Sequence, residues 1–326
     1  MKAFVVEKDS KGNFISGIKE IDTPICEEDE VIIKASYSSL NYKDALSSTG
    51  NSGVTKVLPH ITGIDVTGTI FQSNSKDFKV ENRVTVTGYD FGMNTNGGHC
   101  EYVKVPSKWL VRTPENLSDK EIMSYGTAGL TAALAIDELL NNGLSPNDGE
   151  VLVSGASGGV SSLAISILKK LGFTIVALSS KADKIDYLKN IGANEVILNE
   201  DFLKDKNRAL LKERYSALID SVGGDILSCS LKQLKYDGIA TCFGLTYSSE
   251  LNTNVFPFIL RGVRLIGIDS VECSLDKKQK AWNNLATKYK IDNIDYITKE
   301  IGLNDIKDIL KNMLDGKTKG RYLVKI

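Results

Sequence analysis

The stretch from Gly149 to Lys181, GEVLVSGASGGVSSLAISILKKLGFTIVALSSK, restricts what this chain can fold into more than any other. Glu150 to Val153 is a short apolar, β-branched run that enters Gly155-Ala156-Ser157-Gly158-Gly159. Val160, Leu163, Ala164, Ile167, Leu168 and Leu171 then recur on one face of a helical period. Lys169 and Lys170 suit the negative end of that helix, and Gly172 is placed to cap it. Phe173 to Leu178 predicts a second buried strand. The order strand, glycine turn, helix, strand is a βαβ unit. Glycines let the backbone approach a pyrophosphate, and the free N–H groups and positive end of the helix face its charge. Ser157, Gly158, Gly159 and Val160 are the residues expected there. The spacing is nearer G-x-x-G-G-x-S than G-x-G-x-x-G, with Ser161 standing where a third glycine often packs helix on strand. Serine is small, which makes the departure tolerable. A tight βα turn without a ligand is the alternative.

A chain of 326 residues predicts two domains. Forty basic against 41 acidic side chains give no reason to expect nucleic acid or an anionic membrane surface as partner. No apolar run approaches the roughly 20 residues of a membrane helix, and the N-terminus MKAFVVEKDSKG carries charges too early for a signal peptide. Cys26, Cys100, Cys229, Cys242 and Cys273 are scattered and form no C-x-x-C pair. This argues against a disulfide framework or a structural zinc lobe and fits a cytoplasmic, reducing setting.

Residues 1 to 125 predict a β-rich domain. Strands are expected at Lys2 to Glu7, Gly17 to Ile21, Glu30 to Tyr37 and Asn82 to Thr87, broken by glycine turns, as in a small, partly closed barrel. A small-residue helix opens at Gly126-Thr127-Ala128-Gly129. Beyond the opening βαβ unit, strands are expected at Glu195 to Leu198, Ala217 to Ser221, Gly238 to Phe243 and Val263 to Ser270, with helices at Ala182 to Ile191 and Asp225 to Leu234. Such alternation implies a parallel, doubly wound sheet over 126 to 269. Helices at Lys277 to Tyr289 and Ile306 to Leu314 and the strand Tyr322 to Ile326 are expected to return to the first domain, so that 270 to 326 joins 1 to 125.

Several runs together resemble one family: Ser38-Ser39-Leu40-Asn41-Tyr42-Lys43-Asp44, Gly63-Ile64-Asp65, Gly126-Thr127-Ala128-Gly129, Gly155-Ala156-Ser157-Gly158-Gly159-Val160 and Ile266-Gly267-Ile268-Asp269-Ser270. They are similar to the YhdH/YhfP-type quinone oxidoreductases of the medium-chain dehydrogenase/reductase superfamily, a branch that includes NADPH-dependent acrylyl-CoA reductases. The resemblance implies an α/β fold, with a Rossmann domain inserted in a GroES-like catalytic domain. Zinc-dependent members of the superfamily carry a Cys ligand near the position of Asn41 and Gly-His-Glu where this chain has Gly63-Ile64-Asp65. Neither Asn41 nor Ile64 offers the usual thiolate or imidazole. Without that Lewis acid the reading moves from alcohol dehydrogenation to reduction of an activated C=C bond or a quinone, where an existing carbonyl takes up the electrons.

The cofactor can be read from residues. NAD-selective sites place Asp or Glu at the end of the second strand to hold the ribose hydroxyl. Here that place is Ser179-Ser180-Lys181, which suits the 2′-phosphate of NADP(H); a solvated turn is the alternative. For a 2-enoyl thioester, hydride goes to the β-carbon, charge builds on the thioester oxygen, and a proton reaches the α-carbon. Tyr42 is the leading catalytic candidate and a cofactor-binding one, because in the resembled family this tyrosine lies by the nicotinamide; a phenol is a poor acid but a good positioned donor, and a core or rim aromatic with no role is the alternative. Asn41, Lys43 and Asp44 are weaker candidates, the last two as helix-capping or solvated groups. Asp65, His60 and His99 are expected to be structural. Leu245, at a strand's carboxyl end, is expected to border the nicotinamide with its backbone; Arg321 is expected to approach the cofactor or a CoA phosphate, with a solvated basic end as the equal alternative. The expected activity is NADPH-dependent reduction of acrylyl-CoA to propionyl-CoA. The alternatives are a broad quinone reductase and, from another class, a non-catalytic NADPH-binding redox sensor or structural protein. A homodimer through the sheet-edge strand Val263 to Ser270 is expected.

Overall fold

The computed structural model describes residues 1–326. Its contacts divide the chain into one unit of Met1–Ala128, Ser270–Ala286 and Thr298–Ile326, and a second of Gly129–Asp269 and Thr287–Ile297.

The second unit is built on six parallel strands in the spatial order Glu195–Leu198, Thr174–Ser179, Glu150–Val153, Tyr215–Asp220, Leu234–Cys242, Arg264–Gly267. Sequence order therefore runs outward one way from Glu150–Val153 and then the other, the 3-2-1-4-5-6 arrangement whose reversal point is a ligand site. Ile175, Val176, Ala177 and Leu178 are all fully buried, as a strand covered on both faces requires. The helix Gly159–Lys170 buries Leu163, Ile167 and Leu168, each contributing about 1.5–3 kcal/mol.

The first unit holds a three-stranded sheet, Phe14–Glu20, Lys2–Lys8, His60–Ile61, and a seven-stranded one. The latter runs Thr298–Gly302, Arg321–Lys325, Glu30–Ser39, Asp65–Ser73, Arg83–Thr87, Val111–Arg112, with Tyr102–Pro106 also paired to Glu30–Ser39. Val31, Ile33, Val66, Ile70, Val84 and Val105 form its core, and the intervening Ile32, Thr67 and Thr85 are buried as well. Leu323 pairs with Ser39, which brings the C-terminal strand beside the segment carrying Asn41 and Tyr42.

Some boundaries differ from the sequence reading. Gly126 to Ala128 belong with the first unit, because Asp65 accepts the Thr127 N–H at 2.9 Å. Residues 287–297, expected with the first domain, pack in the second: Tyr289 Oη donates to Asp137 at 2.5 Å, and Tyr296 stacks on Tyr187 at 5.9 Å. The strand expected at Gly238 begins at Leu234, since Asp237 takes a positive φ of 60° and the chain pairs on both sides of it. The strand Thr298–Gly302 and the short helix Phe256–Arg261 have no clear periodicity and were not expected.

Candidate functional site

The glycine turn lies beyond the central strand of the parallel sheet. Gly158 caps the helix Gly159–Lys170 without any side-chain hydrogen bond, which leaves the first-turn N–H groups at Gly159 and Val160 for another acceptor. Gly155 has a φ of 55°, and a Cβ there would meet Ser221 Oγ at 2.4 Å. Gly158 is exposed, and a Cβ on it would meet nothing nearer than the Gly155 carbonyl at 3.2 Å. Ser157 is buried beneath the turn. A backbone concavity at a helix N-terminus, open on one side, fits a pyrophosphate.

At the end of the strand Thr174–Ser179 there is no carboxylate. Ser179, expected to hold a 2′-phosphate, is buried instead, and its hydroxyl accepts the Lys181 N–H at 3.0 Å. It shapes the turn, while Ser180 is the exposed hydroxyl. Burial first, and the neighbouring Lys184 charge second, hold the Lys181 ammonium below its usual range, with Asp183 opposing them. Lys184 itself pairs with Asp183. Two ammonium groups repelling each other at this strand end form a place for a dianion. The sequence reading missed Lys184; the signal was its (i, i+3) spacing from Lys181 across the tight turn Ala182–Lys184. Leu245 follows the strand Leu234–Cys242, with its side chain exposed in the segment that Val222 anchors by accepting the Tyr247 N–H at 2.9 Å.

In the first unit, Tyr42 opens the helix Tyr42–Ser48 and is 42% exposed, whereas Asp44 and Ala45 in the same turn are buried. Asn41 precedes it, donating from Nδ2 to Asp65 at 2.8 Å and accepting at Oδ1 from Arg321 at 3.0 Å. Asp65 is fully buried and accepts further from Ser39 Oγ at 2.5 Å, from Thr127 N–H at 2.9 Å and from the Thr127 hydroxyl. Arg321 is 3% exposed. This corrects its expected role: its guanidinium donates to the Ser124 and Leu40 carbonyls, to Asn41 and to Ser39 Oγ, and stands 3.7 Å from Asp65. A buried cation with those partners neutralises Asp65 and does not reach for a ligand phosphate.

Asp44 is also not a solvated cap. It is wholly buried and accepts N–H from Asn41 at 2.7 Å and from Gly63 and Ile64 at 3.0 Å each. Burial, reinforced by Asp65, pushes its carboxyl up to about 7. Lys43 beside it is half-buried. His60 and His99 are structural: His60 Nε2 meets the Gly92 carbonyl at 2.9 Å and His99 Nδ1 meets Thr62 Oγ1 at 2.8 Å. Burial holds His60 below its usual range and His99 at about 4. Ile64 is buried, and no three His, Cys, Asp or Glu side chains converge to hold a metal.

Residues 159–287 match the zinc-binding dehydrogenase family, and residues 27–115 the alcohol dehydrogenase GroES-like domain. The chain is 42% identical to "Putative quinone oxidoreductase YhfP" of Bacillus subtilis, over 95% of this chain and 94% of that one. The chain belongs to the zinc-independent YhdH/YhfP branch of the medium-chain dehydrogenase/reductase superfamily. Within that branch it is also 34% identical to the acrylyl-CoA reductase AcuI of Ruegeria pomeroyi, over 99% of this chain and 98% of that one. The crystal structure of the yhdH oxidoreductase from Salmonella enterica in complex with NADP superimposes with a TM-score of 0.96 at 36% identity, covering 100% of both chains. The Bacillus subtilis yhfP structure, with NAD bound, gives 0.96 at 41% identity, covering 100% of this chain and 99% of that one. Solved members of the branch thus hold either dinucleotide, which puts weight on the strand-end residues of each chain.

Proposed function

We propose that this protein is an NADPH-dependent reductase of activated double bonds, with acrylyl-CoA as substrate and propionyl-CoA as product. The observation that carries the reading is the pair of features around the parallel sheet: an uncapped glycine turn, and a strand end that offers Lys181 and Lys184, where the nearby Asp183 carboxylate is paired with Lys184. Gly159 and Val160 hold the pyrophosphate by backbone N–H groups, and Gly158, whose own N–H donates to the Gly155 carbonyl at 2.9 Å, keeps the approach open by lacking a side chain. Ser180, Lys181 and Lys184 hold the 2′-phosphate, whose charge relieves the repulsion between the two ammonium groups. The Leu245 backbone borders the nicotinamide. Bound NADPH supplies the hydride. Tyr42 donates a hydrogen bond to the oxygen on which charge collects, and the half-buried Asn41 with the buried Asp44 and Asp65 fix the helix end from which Tyr42 projects. Reduction of a quinone is the second reading, supported by the name of the YhfP relative.

Steady-state NADPH oxidation with acrylyl-CoA, run beside a benzoquinone and beside NADH, tests this. Turnover with acrylyl-CoA and NADPH is expected. No consumption with acrylyl-CoA removes the first substrate, and equal use of NADH removes the cofactor assignment.

The protein is further read as a cytoplasmic homodimer. The strand Arg264–Gly267 is paired on one side only, and Val255, Ile259 and Leu260 are exposed in the segment leading to it, with Ile259 at 68%. An open edge beside apolar side chains favours pairing with a second copy. All five cysteines are free thiols, consistent with a reducing compartment. No helix is long and apolar enough to cross a membrane. A sedimentation mass of one chain at micromolar concentration would rule the dimer out.

A further inference from the structure

Ser161 stands where the dinucleotide fingerprint has its third glycine, the one that lets the helix pack closely on the strand. It lies in the first turn of the helix Gly159–Lys170 and is 1% exposed. Its hydroxyl has a definite place: 2.7 Å from the Ser154 carbonyl, where the central strand ends, and 3.0 Å from Ser221 Oγ. Ser221 Oγ donates to the same Ser154 carbonyl at 3.0 Å, and Ser221 N–H donates to Ser154 Oγ at 3.0 Å. Ser154 Oγ donates onward to Asp220 at 2.6 Å, and Asp220 also accepts the Gly223 N–H at 2.9 Å. A helix start and two strand ends are therefore joined by hydroxyls in a largely buried setting, where such chains reinforce one another.

Ser221 also faces the other way. Its carbonyl lies 2.0 Å from where a Cβ on Gly244 would be, so the two backbones touch. Phe243 N–H donates to the Asp220 carbonyl at 3.2 Å, and Ser248 N–H to the Val222 carbonyl at 3.2 Å. Residues 220–222 thus hold the phosphate-binding turn on one side and the segment 243–248, which carries Leu245, on the other. Gly155 leaves no slack on the first side, since its Cβ would meet Ser221 Oγ.

We propose that Ser161 and Ser221 are a positioning pair that keeps the phosphate-binding turn and the Leu245 segment in register, so that NADPH affinity depends on the hydroxyl that replaces the fingerprint glycine. This deepens the NADPH reading above and rests on it. Neither serine is asked to touch the cofactor. Each acts through the backbone it holds.

The test uses the full chain with Ser161→Ala, Ser221→Ala, the double variant, and Ser221→Thr, which keeps a hydroxyl. NADPH affinity is read by fluorescence titration, and hydrogen exchange is read on the cofactor-free protein. Each alanine variant is expected to raise the Kd for NADPH about three- to tenfold, the loss of one hydrogen bond. The double variant is expected to be no weaker than the more affected single, Ser221→Thr to stay within twofold of wild type, and kcat at saturating NADPH to be unchanged. Without cofactor, residues 155–162 and 243–248 are expected to exchange faster together in either alanine variant. An unchanged Kd in Ser161→Ala, additive losses in the double variant, or faster exchange confined to 155–162 would each overturn the pair. If the wild-type chain binds no NADPH while the alanine variants still show the paired loosening, the NADPH assignment falls and the pair stands.

Discussion

The glycine turn of the second unit and the polar cluster around Asp65 in the first are both polar regions in a small volume, but they are made of different material. The turn is nearly all backbone. Its binding groups are N–H donors within a few consecutive residues, and its acceptor side is left open. The cluster is nearly all side chain. Ser39 and Asn41, Asp65, Thr127 and Arg321 come from four separate stretches of the chain and satisfy one another, with Asp65 and Arg321 both buried. The difference teaches where each region is vulnerable. The turn loses ligand affinity when its surroundings shift; the cluster loses the fold when one member is removed, because a buried charge is then left without its partner.

The largest expected effect tests the cluster. Gly126 has a φ of 51°, and a Cβ on it would lie 2.5 Å from Asp65 Oδ2 and 2.6 Å from both Arg321 Nη2 and Ser39 Oγ. Gly126→Ala, or Arg321→Met, is expected to cost about 3–5 kcal/mol in urea unfolding; a midpoint at the wild-type value would show that the cluster is no tighter than the turn.

Next is pH. Burial keeps His99 neutral with its pKa at about 4, against 6.5 when free. The folded state therefore binds fewer protons than the unfolded chain. Its stabilisation is fully present above about pH 6.5 and is lost as pH falls toward 4, by roughly 3 kcal/mol. Asp44 acts oppositely: with its carboxyl pushed from 3.8 to about 7, its contribution is fully present below about pH 4 and is lost as pH rises through 7. Between about pH 4 and 7 the two slopes oppose each other, so the unfolding free energy should fall more steeply with rising pH in His99→Gln and rise more steeply in Asp44→Asn than in the wild type. Unchanged slopes would remove the electrostatic part of the comparison.

Smaller effects fall on ligand handling. Lys181→Ala is expected to raise the KM for NADPH about ten- to hundredfold, the range of one charge-assisted hydrogen bond, and hardly to move that for NADH; equal changes would sink the phosphate assignment. Tyr42→Phe is expected to lower kcat by about tenfold through loss of one donor at the developing charge, with the KM for NADPH unchanged. A rise in KM alone would make Tyr42 a binding residue.

The βαβ unit was legible because its signals are local. Strand, glycine and helical period sit within about thirty residues, and each residue's neighbours along the chain are also its neighbours in space. The same locality exposed Lys181, and it would have exposed Lys184 had the (i, i+3) spacing been weighed. Arg321 was misjudged for the opposite reason. A basic residue after a glycine near the C-terminus looks solvated in sequence, and nothing nearby announces that the strand Arg321–Lys325 pairs with Glu30–Ser39 and carries it inward. Asp44 looked like a helix cap, which it is, but its burial and its bonds to Gly63 and Ile64 depend on a turn about twenty residues away.

By itself, then, the sequence determined the parallel sheet, the phosphate-binding turn and the absence of an acid at the second strand's end, since short-range spacing and backbone geometry decide these. Only the tertiary structure decided which charges are buried together, that Ser179 is structural, and that Ser161 joins Ser154 and Ser221. Those outcomes depend on which distant segments meet, and the free energy of a buried polar group is set by the partners it finds there.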